Sequence, residues 1–432
     1  MNRRSVLSAA IVYTVNGTAR QLRAAVPASD RIRLGFIGSG IRGSQLMSDF
    51  IKAPGVEPVI VADVYDGCLT RAKEQNDGNI ITTKDYLAVL ERKDVDAVVI
   101  ATPDHWHKKM TLDALAAGKH VYIEKPLTWS IEEGPEIIAA AAQSKKLLQV
   151  GSGTKTAAVT KKAREFVKSG VIGKIMQVKM VNNRNNAEGA WVYPVPPDAS
   201  AKTIDWQRFL GSSPVKQFDA KVFFRWRCWW EYSGGVATDL FVHMTSQLHE
   251  VMDVAAPSSV VSQGGLFRWK DGRTEPDFMT SIFEYPGFLA ELSVNLCNAY
   301  QPRTMYIAGT EGTLEIGADK VIHHIERKLD TAQRYGSISW PKAARAKYFE
   351  ANGYTADGRP RRPVPAPEKP KEIAMERGPS HTDLFLISIR EGKPSVEDAR
   401  EGHLAAGAAH IANLAYREGR RVKWDTQTNK IS

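Results

Sequence analysis

Ile32-Arg33-Leu34-Gly35-Phe36-Ile37-Gly38-Ser39-Gly40-Ile41-Arg42-Gly43 decides the fold. A buried-strand pattern runs straight into G-x-G-x-x-G, and Ser44-Gln45-Leu46-Met47-Ser48-Asp49-Phe50 beyond it has helical spacing. That strand–turn–helix context is the one in which the glycines have a mechanism. Gly38 and Gly40 permit a tight turn and close backbone approach to a pyrophosphate, while Gly43 lets the helix pack on the strand. The helix N-terminal amides, at Ile41 and Arg42, then face the phosphates. Glu57-Pro58-Val59-Ile60-Val61-Ala62-Asp63 reads as the next strand and ends in a carboxylate 20 residues after Gly43, the spacing at which an acid bonds adenosine ribose hydroxyls. The same charge repels a 2′-phosphate, so NAD is expected rather than NADP.

Working outward, strand and helix patterns keep alternating. Lys84–Leu90 reads as a helix and Val95–Ile100 as a buried strand that ends in Ala101-Thr102-Pro103-Asp104-His105-Trp106-His107. Proline stops the strand at the ligand end, which puts Thr102, Pro103 and His107 in reach of a cofactor; the other reading makes His107 a helix-cap histidine and Trp106 packing. After a helix from Lys109 to Ala117 comes Gly118-Lys119-His120-Val121-Tyr122-Ile123-Glu124-Lys125-Pro126-Leu127. Again a short strand is cut by proline, with Lys125 at its tip, where open α/β sheets bind their ligands. A helix through Ile137–Ala142 and a strand Leu147–Gly151 close a doubly wound parallel α/β domain over residues 31–152.

The remainder changes character. Residues 153–380 read as an α+β domain with an open, mainly antiparallel sheet, because segments such as Phe278–Tyr285, Leu289–Leu296 and Arg303–Gly309 alternate at period two. Asn182–Pro197 reads as a long surface loop. Asp205–Gly211 and Phe223–Trp230 are dense in aromatic rings, which suit either a sugar face or the packing of a domain joint. Gly234-Gly235-Val236-Ala237-Thr238-Asp239-Leu240-Phe241-Val242-His243 opens a helix with Asp239 and His243 four apart on one face. Histidine can accept a hydroxyl proton, and an aspartate one turn away can bind the same substrate or hold the imidazole. Residues 339–370, basic and proline-rich, read as an irregular insertion without chemistry, and helices follow from His381 and from Ala399 to Tyr416.

Bulk properties exclude several classes. At 432 residues the chain holds two or three domains, and no run of about 18 apolar residues suggests stable membrane insertion. Arg3, Arg4, Arg20 and Arg23 lie in a leader without acids and inflate the net charge of +10; the remaining excess is spread along the chain, which speaks against nucleic acid. Cys68, Cys228 and Cys297 have no metal-ligand spacing, so no metal is expected. Arg3-Arg4 ahead of a weakly apolar run, with Ala24-Ala25-Val26-Pro27-Ala28 following, resembles a twin-arginine signal over residues 1–30. A periplasmic or otherwise exported protein is therefore expected, a cytoplasmic one with a basic tail being the alternative.

The glycine turn, Thr102-Pro103 with His107, and above all Ala117-Gly118-Lys119-His120-Val121-Tyr122-Ile123-Glu124-Lys125-Pro126 resemble the Gfo/Idh/MocA family of NAD(P)-dependent sugar and cyclitol oxidoreductases. The resemblance spans about residues 31–425. It implies that Glu124 and Lys125 sit at the cofactor, Lys125 contacting the reacting oxygen and the nicotinamide ribose, and that Asp239 and His243 form the second signature. It also implies that the helices at 380–425 return to the Rossmann domain and that the open sheet joins subunits of a homo-oligomer. The expected activity is NAD-dependent oxidation of a hydroxyl of a sugar, glycoside or cyclitol. The alternatives are a redox-neutral NAD-dependent glycosidase, as in exported relatives of the family, and a non-catalytic sugar-binding protein that keeps NAD.

Overall fold

The computed structural model describes residues 27, 30–301, 303–326, 333–361, 368–376 and 378–432. The leader expected over residues 1–30 thus lies almost wholly outside the described residues.

Six parallel strands form the first sheet: β1 (Ile32–Ile37), β2 (Val56–Ala62), β3 (Ile81–Thr83), β4 (Ala97–Ile100), β5 (His120–Ile123) and β6 (Leu148–Val150), in the order β3-β2-β1-β4-β5-β6. Both faces are covered, so the strands are apolar throughout rather than alternating; all four residues of β4 are buried. The helix Ile41–Lys52 buries Leu46, Met47, Phe50 and Ile51, and Phe50 meets Tyr122 and Phe385 edge-on. The chain winds outward from β1 to β3, then crosses back to β4. The loops after β1 and β4 therefore part at a crevice, the topological switch point at which such sheets take ligands.

The second sheet has ten strands: β7 (Ile175–Asn183), β8 (Ser259–Gly265), β9 (Phe278–Tyr285), β10 (Phe288–Asn295), β11 (Arg303–Gly309), β12 (Gly312–Ile316), β13 (Lys320–Ile325), β14 (Lys371–Ala374), β15 (Val422–Asp425) and β16 (Lys430–Ile431). It is antiparallel except where β7 and β10 run side by side in parallel. The alternation expected from the sequence is present: β9 buries Met279, Ser281, Phe283 and Tyr285 and turns Ile282 and Glu284 outward. The helices Val242–Met252 and Ala399–Glu418 fill the covered face, where Leu248, Val251, Ala408, Ile411 and Ala412 share one core with Phe283, Leu292 and Val294.

The helix His381–Glu391 lies on the first domain through Phe385 and Leu386. Ala399–Glu418 reaches both domains, with Gly402 so close to Val150 that a Cβ there would lie 2.5 Å from its side chain. One expectation needs correction: the insertion is not irregular throughout. Lys342–Ala351 is a helix, as its alanine, lysine and arginine content favours, and Phe349 is buried against Tyr354. The loop beginning at Asn182 carries neither helix nor strand from 184 to 203, and its Tyr193, Pro194 and Pro196 line the crevice.

Candidate active site

The glycine turn is set by close contacts. Gly38 has φ +84°, and a Cβ on it would lie 2.6 Å from the Ala101 carbonyl oxygen; one on Gly43 would lie 2.1 Å from the Gly38 carbonyl oxygen. Gly40, by contrast, has nothing within 4 Å of its Cβ position. It faces a cavity of about 820 Å³ walled by Gly38, Gly40, Ile41, Arg42, Asp63, Thr102 and Pro103. No side chain caps the helix that starts at Ile41, and its first turn holds no acid, so its amides remain for an anion. Asp63 at the end of β2 is fixed by the Ser39 and Tyr65 N–H groups, at 2.7 and 2.9 Å. Burial pushes its carboxyl up, against the pull of those donors. An open glycine cradle, uncapped amides and a fixed acid in one crevice fit a dinucleotide.

The far wall comes from the second half of the chain. Tyr193, Phe223, Phe224 and Trp226 line the cavity, and Tyr65 packs edge-on against Phe223 and Phe224. Trp206 stacks on Phe209 at 4.9 Å with Tyr232 beside it, which packs the joint, and Phe209 also lines the cavity.

Lys125, at the tip of β5, reaches across to the second domain. Its Nζ donates to Asp239 Oδ1 at 2.7 Å and to the Asp239 carbonyl oxygen at 2.9 Å. Ala237–Phe241 forms a π-helical turn rather than the regular helix expected. Arg227 Nε donates to the same Oδ1 at 3.1 Å, and its guanidinium lies 4.2 Å from the Trp226 ring centre. Burial alone would push the Asp239 carboxyl up, but Lys125 and Arg227 hold it far below the usual carboxylate range. Asp239 therefore does not hold the imidazole of His243, one of the two roles open to it. It anchors the lysine.

His243 is the second residue of the following α-helix, with Nδ1 buried and without a hydrogen-bond partner among the described residues. Burial, then the Lys125 charge, push its pKa well below the ordinary histidine value, with only Asp239 acting in the opposite sense. The ring is consequently neutral near pH 7, which is the form a base needs.

Of the two readings of the 104–107 segment, His107 takes the structural one, whereas Trp106 does line the cavity. His107 is 1% exposed, with Nδ1 2.6 Å from the Pro126 carbonyl oxygen and Nε2 3.0 Å from that of Thr102. It braces the loops that follow β4 and β5 and does not line the cavity. His105 and Trp106 both bond the Phe209 carbonyl oxygen, tying the two domains together. Arg42 and Glu124 form a pair at 2.7 Å, of which Arg42 alone reaches the cavity.

Two members of the cluster were not foreseen. Arg227 stands 12 residues before Asp239 within an aromatic run, and no spacing rule links the two. Asp104, 3% exposed, takes a hydrogen bond from Ser233 Oγ at 3.3 Å, and burial pushes its carboxyl up to about 7 despite the opposing charges of Arg227 and Lys125. Its position directly after Thr102-Pro103 was the available signal.

Comparison with known proteins matches this architecture. Residues 32–152 match the Gfo/Idh/MocA model described as "Oxidoreductase family, NAD-binding Rossmann fold", and residues 209–315 match the GFO/IDH/MocA C-terminal domain. The chain belongs to the Gfo/Idh/MocA oxidoreductase family, and its first domain is an NAD-binding Rossmann fold. A glycosyl hydrolase family 109 protein of Shewanella sp. (strain W3-18-1) is 27% identical over 212 residues, 47% of this chain and 40% of that protein. The match thus spans about two fifths of the relative's length. Among solved structures, an aldose-aldose oxidoreductase from Caulobacter crescentus aligns with TM-score 0.63 at 18% identity, covering 91% of this chain and 99% of that one. A levoglucosan dehydrogenase in complex with NADH and L-sorbose aligns with TM-score 0.64 at 18% identity and the same coverage. At that identity the likeness shows the fold.

Proposed function

We propose that this protein is an NAD-dependent oxidoreductase that oxidises a hydroxyl of a sugar, glycoside or cyclitol. The observation that carries the reading is the Lys125–Asp239 pair at the open end of β5, beside a histidine held neutral. An ammonium has three donors, and Asp239 takes two from Lys125. The third is left to hydrogen-bond a substrate oxygen and to stabilise the charge that gathers there. His243 takes the hydroxyl proton as the carbonyl forms. NAD, when bound, supplies the acceptor for the hydride that leaves the carbinol carbon. Asp239 keeps Lys125 in place and is itself kept by Arg227.

The relative named as a glycosyl hydrolase favours a second reading on the same site: transient oxidation would acidify the neighbouring carbon, the glycosidic substituent would leave by elimination, water would add across the double bond formed, and return of the hydride would restore NAD. Export of the chain with NAD already bound, which Arg3-Arg4 suggests, would suit that cycle. Incubating purified protein with a panel of glycosides, with and without added NAD, separates the two. Net NADH appearance supports oxidation, and aglycone release without net NADH supports the glycosidase; sugar binding with neither makes it a binding protein. Lys125→Met is expected to lower turnover about 10²–10⁴-fold with the fold intact by circular dichroism. Full turnover in that variant removes Lys125 from the site.

The second sheet also suits self-association. Its outer face carries Met176, Ile282 and Leu289, 52%, 45% and 51% exposed, on three neighbouring strands. We propose a second copy of the chain as the occupant.

A further inference from the structure

Beyond the Lys125–Asp239 pair, two arginines add positive charge to the site: the Arg184 charge acts on Asp239 and the Arg303 charge on His243. Arg184 follows β7 and Arg303 opens β11, and the register sets Arg303 opposite Asn182, two residues before Arg184. Both arginines therefore stand at the same end of the second sheet. The Arg184 N–H is fixed to the Asn295 carbonyl oxygen at 2.8 Å, and a Cβ on Gly189 would lie 2.7 Å from Arg184 Cδ, so the stem rests on that glycine. Arg303 shares the wall of a second cavity, about 260 Å³, with Thr154, Met244 and Gln247. Thr154 Oγ1 in turn donates to the His243 carbonyl oxygen at 3.0 Å, which puts Arg303 beside the helical turn that carries the base.

Other cations of the site have carboxylate partners: Lys125 and Arg227 share Asp239, and Arg42 pairs with Glu124. Neither Arg184 nor Arg303 has an ion-pair or side-chain hydrogen-bond partner among the described residues. Arg303 is itself solvent-exposed; partial desolvation and then the Arg184 charge push its guanidinium down, and the Arg303 charge adds to the field that keeps His243 neutral. Two guanidiniums that repel each other are stabilised by an oxyanion placed between them, in the planar donor geometry that suits carboxylate, sulfate and phosphate. The cofactor pyrophosphate does not meet that need, because neither arginine lines the crevice that holds the glycine turn.

We propose that the substrate carries an oxyanion, a carboxylate or a sulfate or phosphate monoester, which Arg184 and Arg303 bind while a neighbouring hydroxyl reaches Lys125 and His243. This rests on the sugar-oxidising reading above. A uronic acid or an acidic glycoside is then preferred over its neutral counterpart, and ionic strength weakens the preference.

The test is calorimetric binding to the NAD-loaded full chain of matched pairs: glucose with glucuronate and galactose with galacturonate, then the 6-sulfates and 6-phosphates of both hexoses. An anionic member is expected to bind at least tenfold tighter than its neutral partner at low salt, and the class that does so identifies the anion. Arg184→Gln and Arg303→Gln should each remove most of that ratio, Arg303→Lys should keep part of it, and NAD affinity should stay unchanged as a control on folding. Neutral and anionic members binding alike, or both weakening together in the variants, overturns the inference and leaves the oxidoreductase reading standing. Failure of every sugar to bind overturns both.

Discussion

Lys125 Nζ and Arg227 Nε converge on a single oxygen, Asp239 Oδ1, at 2.7 and 3.1 Å. The consequence for the base is indirect. Among the described residues no carboxylate is hydrogen-bonded to His243, and its neutrality comes from burial and the Lys125 charge. If His243 must be deprotonated to act, the acid limb of log(kcat/KM) should fall below the ordinary histidine range, well under pH 6.5, because lowering the pKa extends the neutral form to lower pH. A limb at or above pH 6.5, or one retained in His243→Ala, assigns the base elsewhere. Asp104 has the opposite sign. Its carboxyl is raised to about 7 from an ordinary 3.8, so between those values the folded protein holds a proton that the unfolded chain releases. Stability therefore declines as pH rises across that window, by an amount bounded at about 4 kcal/mol. Asp104→Asn should melt progressively higher relative to wild type on going from pH 5 to pH 8. A melting difference constant with pH would place the raised group elsewhere.

Among the elements, the turn between β1 and its helix is the most constrained. Gly43 sits where a Cβ would meet the Gly38 carbonyl oxygen at 2.1 Å, a backbone atom that cannot swing aside. Gly43→Ala must push the helix off the strand, which moves the uncapped amides away from the phosphates. At least a tenfold loss of NAD affinity is expected by calorimetry, together with a lower melting temperature. Wild-type affinity would mean that the helix N-terminus does not bind the cofactor. The π-helical turn at Ala237–Phe241 is the second such element. The sequence suggested a regular helix there, because hydrophobic spacing cannot distinguish one inserted residue per turn over so short a segment.

Across the whole molecule, the helix Ala399–Glu418 and the β15 strand tie the last part of the chain to both domains, β15 adding to β8. The outer face of the second sheet remains open in one chain. If it joins two copies, Leu289→Glu with Ile282→Glu should reduce the mass measured by light scattering toward that of a single 47.8 kDa chain while NAD binding persists. An unchanged mass puts the contact on another face, or leaves the chain monomeric.

Much of this protein is legible in its sequence because the signals are local. A strand that ends in G-x-G-x-x-G, an acid at the end of the next strand and a proline-cut strand with Lys125 at its tip each state their geometry within a few residues, and the parallel sheet follows from their alternation. What pairs with what across the crevice is not local. Asp239 serving Lys125 rather than His243, the Arg227 contact, the burial of Asp104 and the bracing role of His107 depend on how two domains meet. There, hydrogen bonds of 2.7–3.3 Å join residues that lie as many as 129 positions apart. Sequence determines which groups are available, and only the tertiary structure decides which charges neutralise one another, because that choice is made by proximity and burial.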